Sequence, residues 1–334
     1  SECLVGSEMC IRDRDDEKRL KEILAMLKSR LQMSFQSSGH TTSALRALSY
    51  GSPLSKFKDD TDGIGFYEVV RDIEEHFEEK KAELIQNLKQ LSRQIFRVDN
   101  VMISYTSSED GLAPMEAAFR EIKDTLYPEL DGEEIPCVLH GRKRNEGFKT
   151  SSKVQYVARV GNFIDHGAQY HGALQILKVI LSYDYLWQNV RVKGGAYGCM
   201  SNFNRIGEGY LISYRDPNLK KTMEVYEGVV DYLKNFTVDE RDMTKYIIGT
   251  ISNIDRPMNP AAKGDRSMNL YMNHVSQEMI RTERSQILHA AQEDIRALAA
   301  VVEAMLKAEQ ICVIGSEEKI EEEKEMFLEV KTLF

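Results

Sequence analysis

The stretch Arg191-Val-Lys-Gly-Gly-Ala-Tyr-Gly198 follows an apolar helix that ends near Trp187 and opens a pair of strands reaching Arg215. A cation, two adjacent glycines and a phenol in so short a span suit a loop where backbone comes close to a ligand and two polar side chains point at it. Ala196 to Asn204 and Gly209 to Arg215 read as a hairpin turning at Arg205-Ile-Gly-Glu208. Upstream, Lys149 to Val160 carries the alternation Val154, Tyr156, Ala158, Val160 of a half-buried strand, and Gly161-Asn-Phe163 reads as a turn. Gly172 to Trp187 is a helix with Leu174, Leu177, Leu181 and Tyr185 along one line. Downstream, Asp216-Pro-Asn218 ends the hairpin, and Asn218 is placed to cap a helix through Met223, Val225, Val229, Leu233 and Phe236. Val238 to Ile254 and Asn259 to about His289 are further helices. Strands grouped by a hairpin and followed by a run of helices predict an α+β layer with an antiparallel sheet, helices packed on it.

Farther from the loop, Leu20, Ile23, Leu24, Leu27 and Leu31 mark one helix face, and Gln36 to Ser43 reads as a turn whose Thr42 or Ser43 caps a second helix over Ala44 to Tyr50. Gly51-Ser-Pro53 ends it, Lys58 to Gly65 is a polar loop, and a charged helix runs from about Tyr67 to Ile95. Asn100 to Tyr105 reads as a strand, Ser107 to Gly111 as a turn and Ala113 to Leu126 as a helix. The end of the chain repeats that order: helix at Leu298 to Leu306, strand at Gln310 to Gly315, turn and cap at Ser316-Glu-Glu, helix at Lys319 to Val330. If the repeat is real, one domain closes near Tyr127 and a second copy follows an acidic, Pro- and Gly-containing linker at 128–136.

Composition removes several function classes. A net charge of -9 over 334 residues leaves no excess of cations for general nucleic-acid binding, and no apolar run approaches the length of a membrane span. The five cysteines (Cys3, Cys10, Cys137, Cys199, Cys312) show no CxxC pair and no metal-ligand spacing; Cys137, Cys199 and Cys312 sit in apolar or strand-like contexts, so a reducing, cytoplasmic setting is the simple expectation. Ser1 to Arg14 resembles the translation of a sequencing adapter and is set aside as non-native.

The motifs for chemistry are sparse. Gly194-Gly195 lacks the strand before and helix after it that a phosphate-cradling loop needs, and there is no GxxxxGK[ST], GxSxG, HExxH or HxxEH. In His76-Phe-Glu-Glu79-Lys80 a lysine stands where a second histidine is required, and no carboxylate accompanies His166 and His171 on a common face. What is left is Arg191 with Tyr197: a guanidinium with fixed donors and a phenol able to donate to an oxyanion, brought together only if Gly194 and Gly195 let the loop fold back. On spacing alone, a helix-end arginine and a strand tyrosine with structural roles remain the competing interpretation.

Tyr170-His-Gly-Ala-Leu-Gln-Ile-Leu177, then Tyr183-Asp-Tyr-Leu-Trp-Gln-Asn-Val-Arg-Val-Lys-Gly-Gly-Ala-Tyr-Gly198, then Tyr214-Arg-Asp-Pro-Asn218 resemble the last domain of the presequence-peptidase branch of the pitrilysin/insulinase zinc peptidases, the inverzincins. The resemblance covers Asp15 to the end. It implies a pitrilysin/mitochondrial-processing-peptidase-like domain repeat in a four-domain enzyme of two halves that close around a peptide. The chain then supplies the end of a third homologous domain (15–127), a linker (128–136) and a complete fourth domain (137–334). The zinc and its HxxEH are implied to lie in an N-terminal half that this sequence lacks, so no cofactor is expected here and the fragment alone is expected to be inactive. Arg191 and Tyr197 match the positions that hold substrate and stabilise the tetrahedral intermediate, with Gly194 and Gly195 forming the substrate loop. In His171-Gly-Ala-Leu-Gln175, Leu174 and Gln175 stand where a related domain carries Glu and a second His, so this copy should bind no metal. Expected partners are a peptide substrate and the N-terminal half of the same polypeptide, with no nucleic acid and no membrane. The alternative is a non-catalytic peptide-binding or structural subunit of the same fold.

Overall fold

The computed structural model describes residues 16–128, 139 and 141–334. The adapter-like segment 1–14, nearly all of the linker, Cys3, Cys10, Cys137 and His140 lie outside the described residues. Packing separates two compact units: 16–31, 67–128 and Pro257–Ser276 in one, and Gln32–Phe66, 141–256 and Gln277–Phe334 in the other. These packing units are a different partition from the homologous copies, since 32–66 precede the second copy in sequence and pack with it.

In the first unit, the beginning of helix α1 (Glu17–Leu48) turns Leu20, Ile23 and Leu24 inward. Tyr67 and Val70 of α3 (Ile64–Glu75) and Phe77 and Leu88 of α4 (Phe77–Ile95) are likewise buried, and Lys28–Glu74 and Lys81–Glu17 ion pairs, each 2.8 Å, flank them. The expected single helix from Tyr67 to Ile95 is broken at His76, whose φ and ψ are -113° and 35°. Helix α5 (Leu112–Lys123) follows as read. Residues 100–105 form no ladder, and Val101, Met102 and Ile103 are exposed. A strand needs a neighbour for its N–H and C=O groups, and none lies beside this one among the described residues.

The second unit is built on a six-stranded sheet in the order β3-β4-β2-β5-β1-β6, with β1 Glu146–Thr150, β2 Tyr156–Asn162, β3 Gly198–Phe203, β4 Glu208–Tyr214, β5 Gln310–Ser316 and β6 Glu329–Thr332. From β3 to β5 it is antiparallel, as expected, with the hairpin in the register Gly198↔Tyr214 to Phe203↔Gly209. The parallel additions β1 and β6 were not anticipated. The single strand read over 149–160 is two, held apart by β5, and Gly161-Asn162 belongs to β2 and not to a turn. The helix expected through Val330 stops as α13 (Glu317–Glu322), and the chain finishes as β6.

One sheet face, through Val157, Leu211, Ile311 and Val313, joins a core with Leu174, Leu177, Ile180 and Leu181 of α6 (Ala173–Tyr183) and Ile295, Leu298, Val302 and Met305 of α12 (Gln292–Leu306). Helices α7 (Lys220–Glu227), α8 (Val229–Lys234), α9 (Glu240–Ile254) and α11 (Gln277–Leu288) complete that layer, and α10 (Pro260–Met272) belongs to the first unit. Each of these side chains contributes roughly 1.5–3 kcal/mol by leaving water, and Leu177→Ala would cost about 2–5 kcal/mol.

The opposite face carries Tyr156, Ala158, Ile212, Cys312 and Phe148, and residues 32–48 of α1 cover it: the Tyr156 hydroxyl donates to Gln36 O at 2.6 Å, and Arg46 lies over the Phe148 ring. This explains why the turn expected at 36–43 is helix. Ser38 alone departs (φ -125°, ψ 30°), while the Thr41, Thr42 and Ser43 hydroxyls donate back to the Ser38 and His40 carbonyls instead of capping a new helix. The expected polar loop at 58–65 is also helical. Ser52 accepts from Ser55 N to cap α2 (Pro53–Asp62), Pro53 sits at its first turn, and buried Asp59 is paired with Arg46 at 2.6 Å.

Candidate functional site

The loop that carries Arg191 is shaped by a break in helix geometry. After α6, Asp184 leaves the helical region (φ -122°, ψ -89°), and Trp187–Val192 winds as a π-helix. The wide winding shows in the hydrogen bonds: Lys193 N donates to Gln188 O at 2.9 Å, five residues back, Gly195 N to Arg191 O at 2.8 Å, and Ala196 N to Val190 O at 3.1 Å. π-bulges of this kind recur at functional sites. Here the winding sets Arg191 back against Trp187, its guanidinium carbon 4.0 Å from the ring centroid, and 5.9 Å from the ring of Tyr197. The expected convergence is therefore present.

The two glycines act in different ways. Gly195 has φ +83°, a conformation that costs an L residue roughly 1–2 kcal/mol. Gly194 is not in that region; a Cβ there would stand 2.3 Å from Val190 O and 2.9 Å from Asn189 O, so its need is for close backbone approach. Asn218, read as a helix cap, caps nothing: α7 has no side-chain cap, and Asn218 Nδ2 instead donates to Gly194 O at 2.6 Å, tying the loop to the end of the hairpin. Tyr197 N donates to Tyr214 O at 3.0 Å, which fixes the entry to β3 and leaves the phenol 67% exposed.

Arg191, Val192, Gly195, Ala196, Tyr197 and Arg215 line an open depression of about 470 Å³. Tyr197 stands edge-on to Tyr214 at 5.6 Å, and Tyr214 contacts Tyr156 at 5.7 Å and His40 at 4.8 Å, an aromatic row leading from the rim toward the α1-covered face. Burial lowers the His40 pKa and raises that of Tyr156. Cys199, just inside β3, has its thiol pushed up to about 11 by burial, against an opposing pull from Arg191. It is free, as is Cys312.

Sequence reasoning missed Trp187, Arg215 and Asn218 as parts of this site. The Trp187 to Arg191 spacing of one helical turn was a usable signal; the positions of Arg215 and Asn218 depend on the hairpin bringing residues 214–218 back beside 194–197.

Residues 145–317 match the family described as the PreP C-terminal domain, which is more than half of the chain, and residues 7–73 match a second family, described as peptidase-associated. The chain belongs to the PreP C-terminal domain family. That places it among the pitrilysin/insulinase peptidases. Protein HypA of Clostridium perfringens is 39% identical over 322 residues, 96% of this chain and 33% of the relative. Presequence protease 1, chloroplastic/mitochondrial, of Arabidopsis thaliana is 27% identical over 320 residues, 95% of this chain and 30% of the relative. The PreP-type chain thus spans about a third of the length of the curated relatives it matches. Among solved structures, pitrilysin aligns over 90% of this chain and 31% of its own at a TM-score of 0.54 and 11% identity, and a conserved protein of Enterococcus faecalis V583 over 90% and 68% at 0.52 and 16%. Both share the fold.

The zinc that the family implies does not fit the residues of this PreP-type chain where the related motif would fall. His171 Nδ1 accepts from Ala173 N at 3.2 Å, Leu174 is fully buried in the core, and Gln175 Nε2 donates to the Tyr170 hydroxyl at 2.8 Å. No group of three or more His, Cys, Asp or Glu converges as a metal site among the described residues, and no described helix is long and apolar enough to cross a membrane.

Proposed function

We propose that this chain is the C-terminal, substrate-binding part of a zinc metallopeptidase that degrades short unstructured peptides. It joins the end of a third homologous domain (15–127), through a linker at 128–136, to a fourth domain at 137–334, and it is inactive alone. The observation that carries the proposal is the pairing of Arg191 and Tyr197, whose guanidinium and ring lie 5.9 Å apart over one open depression. Arg191 presents fixed N–H donors to a peptide carbonyl, and the Tyr197 hydroxyl donates to the oxygen that gains charge as the carbonyl becomes tetrahedral. Trp187 holds the guanidinium at its angle without neutralising it, and the Gly194-Gly195 turn keeps the wall low enough for a peptide backbone to approach.

The zinc and the groups that hold it are assigned to the N-terminal half of the parent polypeptide, a protein about three times as long if it resembles its relatives. Exposed Val101, Met102 and Ile103, together with the unladdered segment that bears them, support the view that 15–127 continues a domain begun outside this sequence. Free Cys199 and Cys312 support a reducing, cytoplasmic setting.

The test is complementation. The separately produced N-terminal half and this chain are each expected to leave a short quenched-fluorescence peptide intact, and their mixture is expected to cleave it. Cleavage by the N-terminal half alone at the rate of the mixture overturns the proposal.

A further inference from the structure

Arg215, which follows β4, lines the same depression as Arg191 and Tyr197. Its backbone lies in the left-handed region, with φ 49°, where side chains other than glycine are uncommon. The neighbouring residue anchors it there. Asp216 is fully buried, exchanges both backbone hydrogen bonds with Gln155 (2.7 and 2.8 Å), and its carboxylate accepts from Asn218 N at 2.9 Å and the Thr222 hydroxyl at 2.7 Å. The carboxylate adjacent to Arg215 in sequence is thus already engaged. Arg215 is left over the Tyr214 ring at 5.5 Å, as Arg191 is over Trp187 and Tyr197. Its other neighbour is the Tyr156 hydroxyl, an uncharged group that can occupy only part of a five-donor fork.

Two guanidinium groups therefore face one depression whose lining contains no carboxylate, on a chain whose net charge is -9. Aromatic faces orient a guanidinium but leave its in-plane donors open. Like charges in a shared site repel, and an anion between them is favoured. The fork of N–H groups matches a carboxylate in geometry as well as charge.

We propose that Arg215 is a specificity-determining residue that binds a carboxylate of the peptide held by Arg191 and Tyr197, so that peptides bearing an acidic side chain or a free C-terminus near the bound segment are the preferred substrates. This rests on the peptide-binding role proposed for that pair. The chain's overall acidity, which by itself suits basic peptides, is locally reversed at this wall.

The experiment is fluorescence anisotropy of the 334-residue chain with labelled peptides of one sequence in four forms: Glu or Gln at one internal position, each with a free or an amidated C-terminus. The expected result is about a fivefold preference for a carboxylate form over its neutral counterpart, the size of a single well-placed but solvent-accessible ion pair. The Glu/Gln and acid/amide arms identify which carboxylate is read. Arg215→Gln brings the ratio to about one and Arg215→Lys keeps part of it. Arg215→Gly removes the guanidinium while suiting the left-handed backbone, so it abolishes the ratio and raises the melting temperature, a combination that a structural role for the side chain would not produce. No preference in the unmodified chain, or a preference unchanged in both Arg215→Gln and Arg215→Gly, overturns the assignment and leaves the Arg191 and Tyr197 proposal standing. Absence of binding to all four peptides, or binding indifferent to both Arg191→Ala and Tyr197→Phe, overturns the peptide-binding role and this inference with it.

Discussion

Replacing Glu146 with Gln should loosen the attachment of residues 32–66 to the sheet. Glu146 opens β1, is fully buried, and accepts from Arg46 Nε at 2.6 Å, Arg46 Nη2 at 2.9 Å, the Tyr50 hydroxyl at 3.0 Å and Lys331 Nζ at 2.9 Å. Burial pushes its carboxyl up, but the hydrogen bonds and charges of Arg46 and Lys331 outweigh that and hold it at about 2, against an ordinary value of 4.5. A gap of roughly 2.5 units at about 1.4 kcal/mol each corresponds to about 3 kcal/mol, in the range expected when one partner of a buried pair is removed. Because the folded value lies below the unfolded one, that stability is fully present above about pH 4.5 and is lost as pH falls toward about 2. Trp187 is the only tryptophan and lies in the same compact unit, so its fluorescence reports that unit's unfolding. With a urea slope of about 3 kcal/mol/M, Glu146→Gln lowers the midpoint at neutral pH by about 1 M. The variant should also lose less stability than the parent chain between about pH 5 and about pH 3. An unchanged midpoint at neutral pH, or parallel acid profiles for the two proteins, would refute the reasoning.

Two further predictions concern the loop. Asn218→Ala deletes the tether to Gly194 O, a hydrogen bond with a net worth of about 1 kcal/mol, and should weaken peptide binding about fivefold in anisotropy titrations; equal affinity would show that the tether does not shape the site. Cys199, with its thiol raised to about 11 by burial, should be alkylated by iodoacetamide at a rate that climbs about tenfold per pH unit without levelling off below about pH 10. A plateau by about pH 9, read by mass spectrometry of the Cys199 peptide, would contradict that environment.

The parts legible from sequence were those set by local chemistry. The hairpin through Tyr197 and Tyr214 was read from strand alternation and the Arg205 to Glu208 turn, and Leu174, Leu177 and Leu181 fell on the buried line of α6 because helix period alone decides it. What was not legible depends on partners distant in sequence. The 36–43 hydroxyls look like caps until the sheet face buries them in a continuing helix, and Asp59 looks like loop until Arg46 is seen to neutralise it. Asn100 to Tyr105 has strand composition but no ladder among the described residues. At the site, Arg191 and Tyr197 were found from residue type and spacing. The π-winding after Asp184 carries no periodic signature, and Arg215 enters the depression only because Asp216 pins a left-handed backbone at the end of β4.

The central claim is that Arg191 and Tyr197 act on the reacting peptide bond from this chain. The most direct measurement is kcat for a short peptide in the mixture of this chain with the N-terminal half, comparing the parent chain with Tyr197→Phe and Arg191→Ala. Loss of an oxyanion donor predicts a fall in kcat of about 10²-fold for Tyr197→Phe, with KM moving far less, and a fall of at least comparable size for Arg191→Ala. Undiminished kcat in both variants would contradict the account.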